Sequence, residues 1–226
     1  MNVLYFHQHF STRSGSAGTR SYEFARCLIE RGHRVTMVCG SYGAGVTGLS
    51  APFENGARSG NVDGIDIIEL ELPYSNRDSF LRRVLTFVKF ALRGIWIAIT
   101  RECDVVFATS TPLTAGLPGI AASLLRRKPF VFEVRDLWPE LPREMGVITN
   151  PVVLWLMSVL EWMSYHTATR CIGLAPGVVG KAAIMASTAV CDTGIGVELP
   201  AGLKVLACPG FTAGGAGSNL LTPASI

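Results

Sequence analysis

In the stretch VFEVRDLWPELP, residues 131–142, an apolar run delivers Glu133, Arg135, Asp136 and Glu140 beside Trp138, Pro139 and Pro142. Carboxylates and a guanidinium this close together can orient a sugar hydroxyl, stabilise charge in a transition state, or form a structural ion pair. The VFEVR run has strand character, and the prolines stiffen its exit. In open α/β sheets ligands collect at the carboxyl ends of strands, which makes this turn the first candidate site.

A second candidate lies nearer the N-terminus. SGSAG (14–18) separates the strand-like NVLYFHQHF (2–10) from the helix-like TRSYEFARCLIERGH (19–33). Glycines there let the backbone approach a phosphate, and free N–H groups at a helix start favour an anion. Gly15 and Gly18 do not complete G-x-G-x-x-G, and the next strand ends Val38, Cys39, Gly40 with no carboxylate for a ribose. That spacing disfavours a dinucleotide-dependent reductase. A ligand-free turn and a phosphate loop both stay open.

The elements around these sites alternate. RVTMVCG (34–40), VDGIDIIELELP (62–73), DVVFATS (104–110), PFVFEVR (129–135) and RCIGLA (170–175) read as strands. Helices are expected over 19–33, 78–100, near 113–126 and over 151–166. Residues 41–61, rich in Gly and Ser, read as a mobile surface loop. Strands separated by helices of this length imply βαβ units, hence a Rossmann-like, doubly wound parallel sheet covered on both faces.

The 79–100 helix, SFLRRVLTFVKFALRGIWIAIT, holds Arg82, Thr86, Lys89 and Arg93 on one face, with Arg83 alongside. Leu81, Leu85, Val88, Leu92, Ile95 and Trp96 fill much of the rest, a wider apolar arc than one sheet face needs. Two readings follow: a basic amphipathic helix lying on an anionic membrane surface, or an ordinary sheet-covering helix with solvated cations.

Bulk composition limits the options. The chain has 226 residues, is 49% hydrophobic and carries a formal charge of +3, too little to argue for nucleic acid. MNVLYFHQHF lacks the basic region of a signal peptide, and no apolar run before position 170 is long enough to predict a membrane span. The six cysteines show no CxxC spacing, so free buried thiols are expected rather than a zinc or disulfide framework. From residue 184 the texture changes. Between 171 and 226 only Lys181, Asp192, Glu198 and Lys204 are charged, and glycine is frequent. Residues 184–226 read as a weakly structured tail, out of frame or chimeric, containing one strand-like piece in GLKVLACPGF (202–211).

Together, VLYFHQHF with its small-residue loop, TRSYEFARCLIERGHRVTMVCG, VDGIDIIELELPYSNRDSFLRRVLTFVKFAL, DVVFATSTPLTAGLP and FVFEVRDLWPELPREMGVI resemble the N-terminal, acceptor-binding half of retaining family 4 glycosyltransferases of the GT-B fold. The resemblance covers about 1–183 and is nearest to the branch building bacterial O-antigen and capsule chains, including transferases of N-acetyl-fucosamine-type sugars. It implies that Gly15, Ser16, Ala17, Gly18 and Thr19 border the donor diphosphate. Asp136, Arg135 and Glu140 would lie at the reacting sugar, with His9, Glu133 and Trp138 lining the acceptor cleft. Many family members carry His-Asp where this chain has Arg135-Asp136, which leaves the role of Arg135 open. The family uses a nucleotide-sugar as co-substrate, no cofactor and no metal, and retains configuration by front-face attack aided by the leaving diphosphate. Its acceptor is polyprenyl-diphosphate-linked, met at the cytoplasmic face of the bacterial inner membrane, where the basic helix would be a peripheral contact through Arg82, Arg83, Lys89 and Arg93.

A full family member adds a second, donor-binding Rossmann-like domain, and no such domain is recognisable after PGVV (176–179). Three functions are therefore expected as alternatives: a truncated glycosyltransferase inactive alone, a half-enzyme needing a separate donor-domain partner, or a non-catalytic module binding a lipid-linked sugar or the membrane.

Overall fold

A computed structural model describes residues 1–173 apart from 17, 44, 76 and 77, and beyond them the backbone of three short strands. The chain runs β1 (Asn2–Phe6), α1 (Arg20–Glu30), β2 (Arg34–Tyr42), β3 (Ala57–Val62), β4 (Ile65–Tyr74), α2 (Phe80–Thr100) and β5 (Val105–Thr109). A single 3-10 turn, Leu113–Gly116, leads into α3 (Leu117–Arg126), followed by β6 (Phe130–Val134), α4 (Glu140–Glu144), α5 (Pro151–Thr167) and β7 (Arg170–Gly173). The later strands are β8 (Val190–Asp192), β9 (Val197–Leu199) and β10 (Leu203–Val205).

Eight strands form one sheet in the order β3-β4-β2-β1-β5-β6-β7-β8, and only the β3–β4 pair is antiparallel. β1 lies between β2 and β5, so Val3 faces both Val35 and Val105. Strand order reverses there, and the crevice at the carboxyl ends of β1 and β5 is the topological switch point.

Alternation along each strand feeds two cores. Val3 and Tyr5 of β1 pack with Phe24, Leu28, Met37 and Phe107 under α1. Leu4 and Phe6 point the other way, to Phe90, Ile120, Phe132 and Tyr165 under α2, α3 and α5. Close approach on this second face depends on small residues. A Cβ on Gly119 would sit 2.1 Å from Phe130 Cε2, and one on Gly94 would sit 2.7 Å from Pro118 Cγ.

The loop expected over 41–61 is more ordered than its composition suggests. β2 runs on to Tyr42, and residues 57–62 pair with β4 through a two-residue turn in which Asp63 and Gly64 both have positive φ, the type I′ geometry that matches strand twist. Buried Glu69 organises the segment: the Arg58 guanidinium grips it at 2.9 and 3.0 Å, and the Thr47 hydroxyl donates to it at 2.5 Å. β3 escaped detection because ARSGNV is an edge strand without an apolar face. At the other end, β1 stops at Phe6 rather than Phe10, since His7 to Phe10 turn over the sheet edge.

Cys39, Cys103 and Cys171 are free and buried, whereas Cys27, half-buried on α1 against the core beneath it, is disulfide-bonded, against the expectation of free thiols throughout. β8 extends the sheet beside β7, and β9 pairs with β10. Three-residue strands such as β8 and β9 are too short to leave a sequence pattern. The rest of 184–226 lies outside the described residues.

Replacing Gly119 with Ala should lower the unfolding free energy by about 2 kcal/mol, because an added methyl must displace the fully buried Phe130 ring. Urea denaturation of the two chains measures it, and an unchanged midpoint would mean that α3 does not seat as closely on β6 as described.

Candidate functional site

The carboxyl edge at the switch point gathers residues from four places: His7, Gln8 and His9 after β1, Thr109 to Thr111 from β5, Glu133 to Asp136 from β6, and the start of α1. Ser110 ties two of these loops together. Its hydroxyl accepts the Arg135 N–H at 2.9 Å and the Asp136 N–H at 3.5 Å, while its own N–H donates to the Glu133 carbonyl at 2.9 Å. The Thr111 hydroxyl then donates to Asp136 Oδ2 at 3.0 Å, fixing the carboxylate at the mouth of the crevice.

Arg135 lies half-buried with Nη1 3.4 Å from His7 Nε2. Burial first, then the charges of Arg135 and His9, push His7 well below the ordinary histidine range. It is therefore the neutral ring that meets the guanidinium. His9 stands against the rings of Tyr42, Tyr74 and Phe87, and burial, Arg135 and Arg83 lower it to about 4.

Glu133 is placed differently from the cleft expectation. It is 2% exposed and accepts the Arg20 Nε–H at 2.9 Å. The even positions of β6 face α2, α3 and α5, so odd-numbered Glu133 turns to the α1 side, where Arg20 meets it. Its role is to brace the start of α1 from within the sheet. Trp138 packs against the lower core, and Glu140 is exposed at the start of α4.

The small-residue loop approaches the same edge. Gly15 N–H donates to the Thr12 carbonyl at 3.2 Å, and Thr12 is fastened to the Val46 carbonyl through both its N–H and its hydroxyl. A Cβ on Gly18 would meet nothing within 4 Å, and Thr19 gives α1 no side-chain cap. An uncapped helix start beside an open glycine suits a phosphate. Ala17 lies outside the described residues.

His7 and Gln8 were not singled out from the sequence. Both are almost fully buried, and His7 Nδ1, both Gln8 amide atoms, Thr109 Oγ1 and one Glu133 oxygen have no hydrogen-bond partner among the described residues. Each such atom costs on the order of 1–3 kcal/mol when left unpaired. Their concentration at one edge marks it as built for polar contacts. The available signal was HQH breaking an apolar strand at its carboxyl end. No group of three or more His, Cys, Asp and Glu among the described residues could hold a metal ion.

On α2, Thr86, Phe90, Ala91, Gly94 and Ala98 face the sheet, so Thr86 does not share an open face with the cations. Leu81, Leu85, Val88, Leu92 and Trp96 form the outward ridge, with Leu92 63% and Trp96 65% exposed. Arg82 and Lys89 are exposed beside it, and Arg93 reaches the Asn55 carbonyl at 3.4 Å. Arg83 corrects the expectation: it turns inward over the Tyr74 ring, 5.9 Å from its centre. α5 exposes Val152, Trp155, Leu156 and Trp162, and its one acid, Glu161, is buried. No helix among the described residues is long and apolar enough to cross a membrane.

Residues 15–183 match the family described as glycosyl transferase 4-like domain. No curated protein matches the sequence. Among solved structures, sucrose-phosphate synthase from Thermosynechococcus elongatus shares the fold with a TM-score of 0.55 at 12% identity, over 87% of this chain and 48% of that one. The E. coli trehalose-6-phosphate structure bound with UDP-2-fluoro glucose aligns with a TM-score of 0.54 at 8% identity, over 88% and 49% of the two chains. The chain thus spans about half the length of these structures.

His9 sets a pH test. It is neutral when folded, with a value near 4, and takes up a proton near 6.5 when unfolded. The unfolded chain therefore binds more protons between those values, so stability is full above about 6.5 and falls as pH drops toward 4. His9→Phe should recover about 1–2 kcal/mol of the loss between pH 7 and pH 5 in urea unfolding, and an equal loss in both chains would remove His9 as a cause.

Proposed function

The chain belongs to the glycosyl transferase 4-like domain family, and from that premise we propose that it provides the acceptor side of nucleotide-sugar-dependent glycosyl transfer to a polyprenyl-diphosphate-linked saccharide in surface polysaccharide synthesis. The observation that carries the reading is the Asp136 carboxylate held by the Thr111 hydroxyl at the switch point, in a turn that Ser110 fixes through the Arg135 and Asp136 backbone N–H groups, with the Arg135 guanidinium at His7 on the same edge. A carboxylate aligned by a hydroxyl in a fixed turn can accept a hydrogen bond from an incoming sugar hydroxyl, and a held guanidinium can offset charge on a departing diphosphate. Glu140 is exposed one turn further on. The uncapped start of α1, with Gly15, Ser16, Gly18 and Thr19, is the proposed seat of the donor phosphates. The donor sugar enters as a hexose or N-acetylhexosamine co-substrate, with no cofactor.

A peripheral position on the inner face of the bacterial plasma membrane belongs to the same proposal. Its support is chemical. The outer ridge of α2 is apolar and flanked by Arg82 and Lys89, and neither α2 nor α3 contains a carboxylate. Asp78 before the helix pairs with Arg82 at 3.4 Å and Glu102 after it pairs with Arg126, so within the helix itself the ridge is apolar with cations alone, which complements an anionic lipid interface.

Two measurements test the proposal. The full chain should transfer label from a UDP-N-acetylhexosamine into the lipid fraction of vesicles carrying polyprenyl-diphosphate saccharide, alone or on addition of cell extract supplying a donor-side partner. Asp136→Asn should cut that transfer by on the order of a hundredfold. No transfer under either condition would sink the catalytic reading. Separately, the chain should sediment with phosphatidylcholine vesicles containing about 30% phosphatidylglycerol, enough for a negative surface. Leu92→Asp with Trp96→Asp should release it, and retention would exclude α2 as the contact.

A further inference from the structure

α5 and the turn that precedes it hold a feature the catalytic reading leaves unused. An open surface cavity of about 470 Å³ is lined by Arg143 from α4, Ile148 and Thr149 from the connecting turn, and Pro151 and Leu154 from the first turn of α5, with Arg143, Thr149 and Pro151 exposed. That volume falls in the class that accepts small ligands. Its walls are hydrocarbon apart from one guanidinium and one hydroxyl.

The surroundings are built rather than loose. The N–H groups of Val147 and Ile148 both donate to the Pro142 carbonyl, at 3.0 and 3.2 Å, folding the turn back onto α4. Asn150 caps α5 by accepting the Val152 and Val153 N–H groups at 2.9 and 3.3 Å. The helix start is therefore already satisfied, and positive charge at the cavity comes from Arg143. Arg143 forms no ion pair among the described residues, although Glu140 and Glu144 share its short helix without lining the cavity. Around the rim Met145, Val147, Val152 and Trp155 are all exposed, an apolar margin continuous with the uncharged outer side of α5.

Location completes the argument. α4 follows directly on the turn that carries Asp136, and α5 begins at the carboxyl edge before running back to β7. The cavity thus lies toward the same end of the sheet as the Asp136 carboxylate, at the start of α5. A ligand suited to it has a hydrocarbon chain, which prefers the Ile148–Pro151–Leu154 wall to water, and an anionic head for Arg143. We propose that this cavity is an isoprenyl-phosphate subsite, holding the first units of the lipid carrier and its proximal phosphate so that the attached sugar reaches the switch-point crevice. The inference rests on the lipid-acceptor reading above and names where that acceptor is gripped.

Farnesyl phosphate, titrated below its micellar concentration into the full chain with intrinsic tryptophan fluorescence as the signal, tests it without vesicles. Trp155 sits one residue beyond Leu154 and should report occupancy. Saturable binding is expected, weakened about tenfold in Arg143→Gln and in Leu154→Gln. Farnesol, which lacks the phosphate, should lose affinity only in Leu154→Gln, and inorganic phosphate should compete weakly. Should Leu154→Gln fail to fold, Ile148→Gln takes its place, with the urea midpoint as the check. Unchanged farnesyl phosphate affinity in both variants overturns the proposal, as does full displacement by inorganic phosphate, which would mean a headgroup-only site. Binding of the wild-type chain to plain anionic vesicles is read separately. Its loss alone would sink the membrane-surface reading and leave the subsite standing.

Discussion

The parallel pairing of β1 with β2 on one side and β5 on the other is the constraint from which the site follows. Chain direction reverses its progress across the sheet at that seam, so the loops leaving β1 and β5 diverge and expose the ends of their strands. His7 and Ser110, distant in sequence, become neighbours only because both follow strands that end at this seam. β6 adds Arg135 and Asp136 through its own parallel register with β5, in which Thr109 faces Glu133. Moving that register by one residue would turn Glu133 into the lower core and separate Asp136 from Thr111.

Two buried carboxylates hold the framework around the seam. Glu133 spans from β6 to Arg20 at the start of α1, and Glu69 spans from β4 to Arg58 on the edge strand. Neither pair is a strong source of net stability, because desolvation offsets much of the attraction. What they contribute is position. Each charge is costly to bury alone, so an arrangement that separates Arg20 from Glu133 is penalised, and the helix start stays over the crevice. Burial likewise explains why His7 and His9 are neutral: with Arg135 near both and Arg83 near His9, a further positive charge in that enclosure is opposed by burial first and by like charge second.

Much of this was legible from residue patterns. Apolar strand runs, the Asp-Gly turn and the spacing of long helices led to a doubly wound sheet, and the RDLWP turn stood out because charged residues ended an apolar strand. The parts that were not legible share a cause. β3 has no apolar face to betray it, since an edge strand on an antiparallel hairpin is held by backbone pairing and by Arg58 rather than by burial. Arg83 stands about a third of a turn off the Arg82–Lys89 stripe, and Tyr74 draws it inward, a contact that depends on where β4 ends. Glu133 was grouped with its neighbours in the turn, although strand alternation already assigns it to the opposite side from Phe132 and Val134. His7 and Gln8 were hidden by the assumption that β1 continues to Phe10. In a strand buried on both faces, a polar triplet is better read as the end of the strand than as part of it.

The helical layer poses the opposite problem, a surface that is too apolar rather than a core that is too polar. α2 needs only the arc from Thr86 to Ala98 to cover its share of the sheet, and α5 needs only the one that contains Ser164 and Tyr165. Fold stability gains nothing from Leu92, Trp96 or Trp155 standing in water, and scattered exposed leucines are ordinary on any protein. These are not scattered. On α2 they recur at three- and four-residue spacing directly opposite the sheet, and on α5 the exposed residues include no charge at all. Contiguous apolar surface of this kind calls for a partner other than water. Because the charged residues on α2 itself are cationic, and the cavity beside α5 pairs hydrocarbon walls with Arg143, a single amphiphilic class suits both features. In the proposed reading an anionic lipid surface would cover the ridge, and an isoprenyl phosphate drawn from it would thread to the carboxyl edge of the sheet.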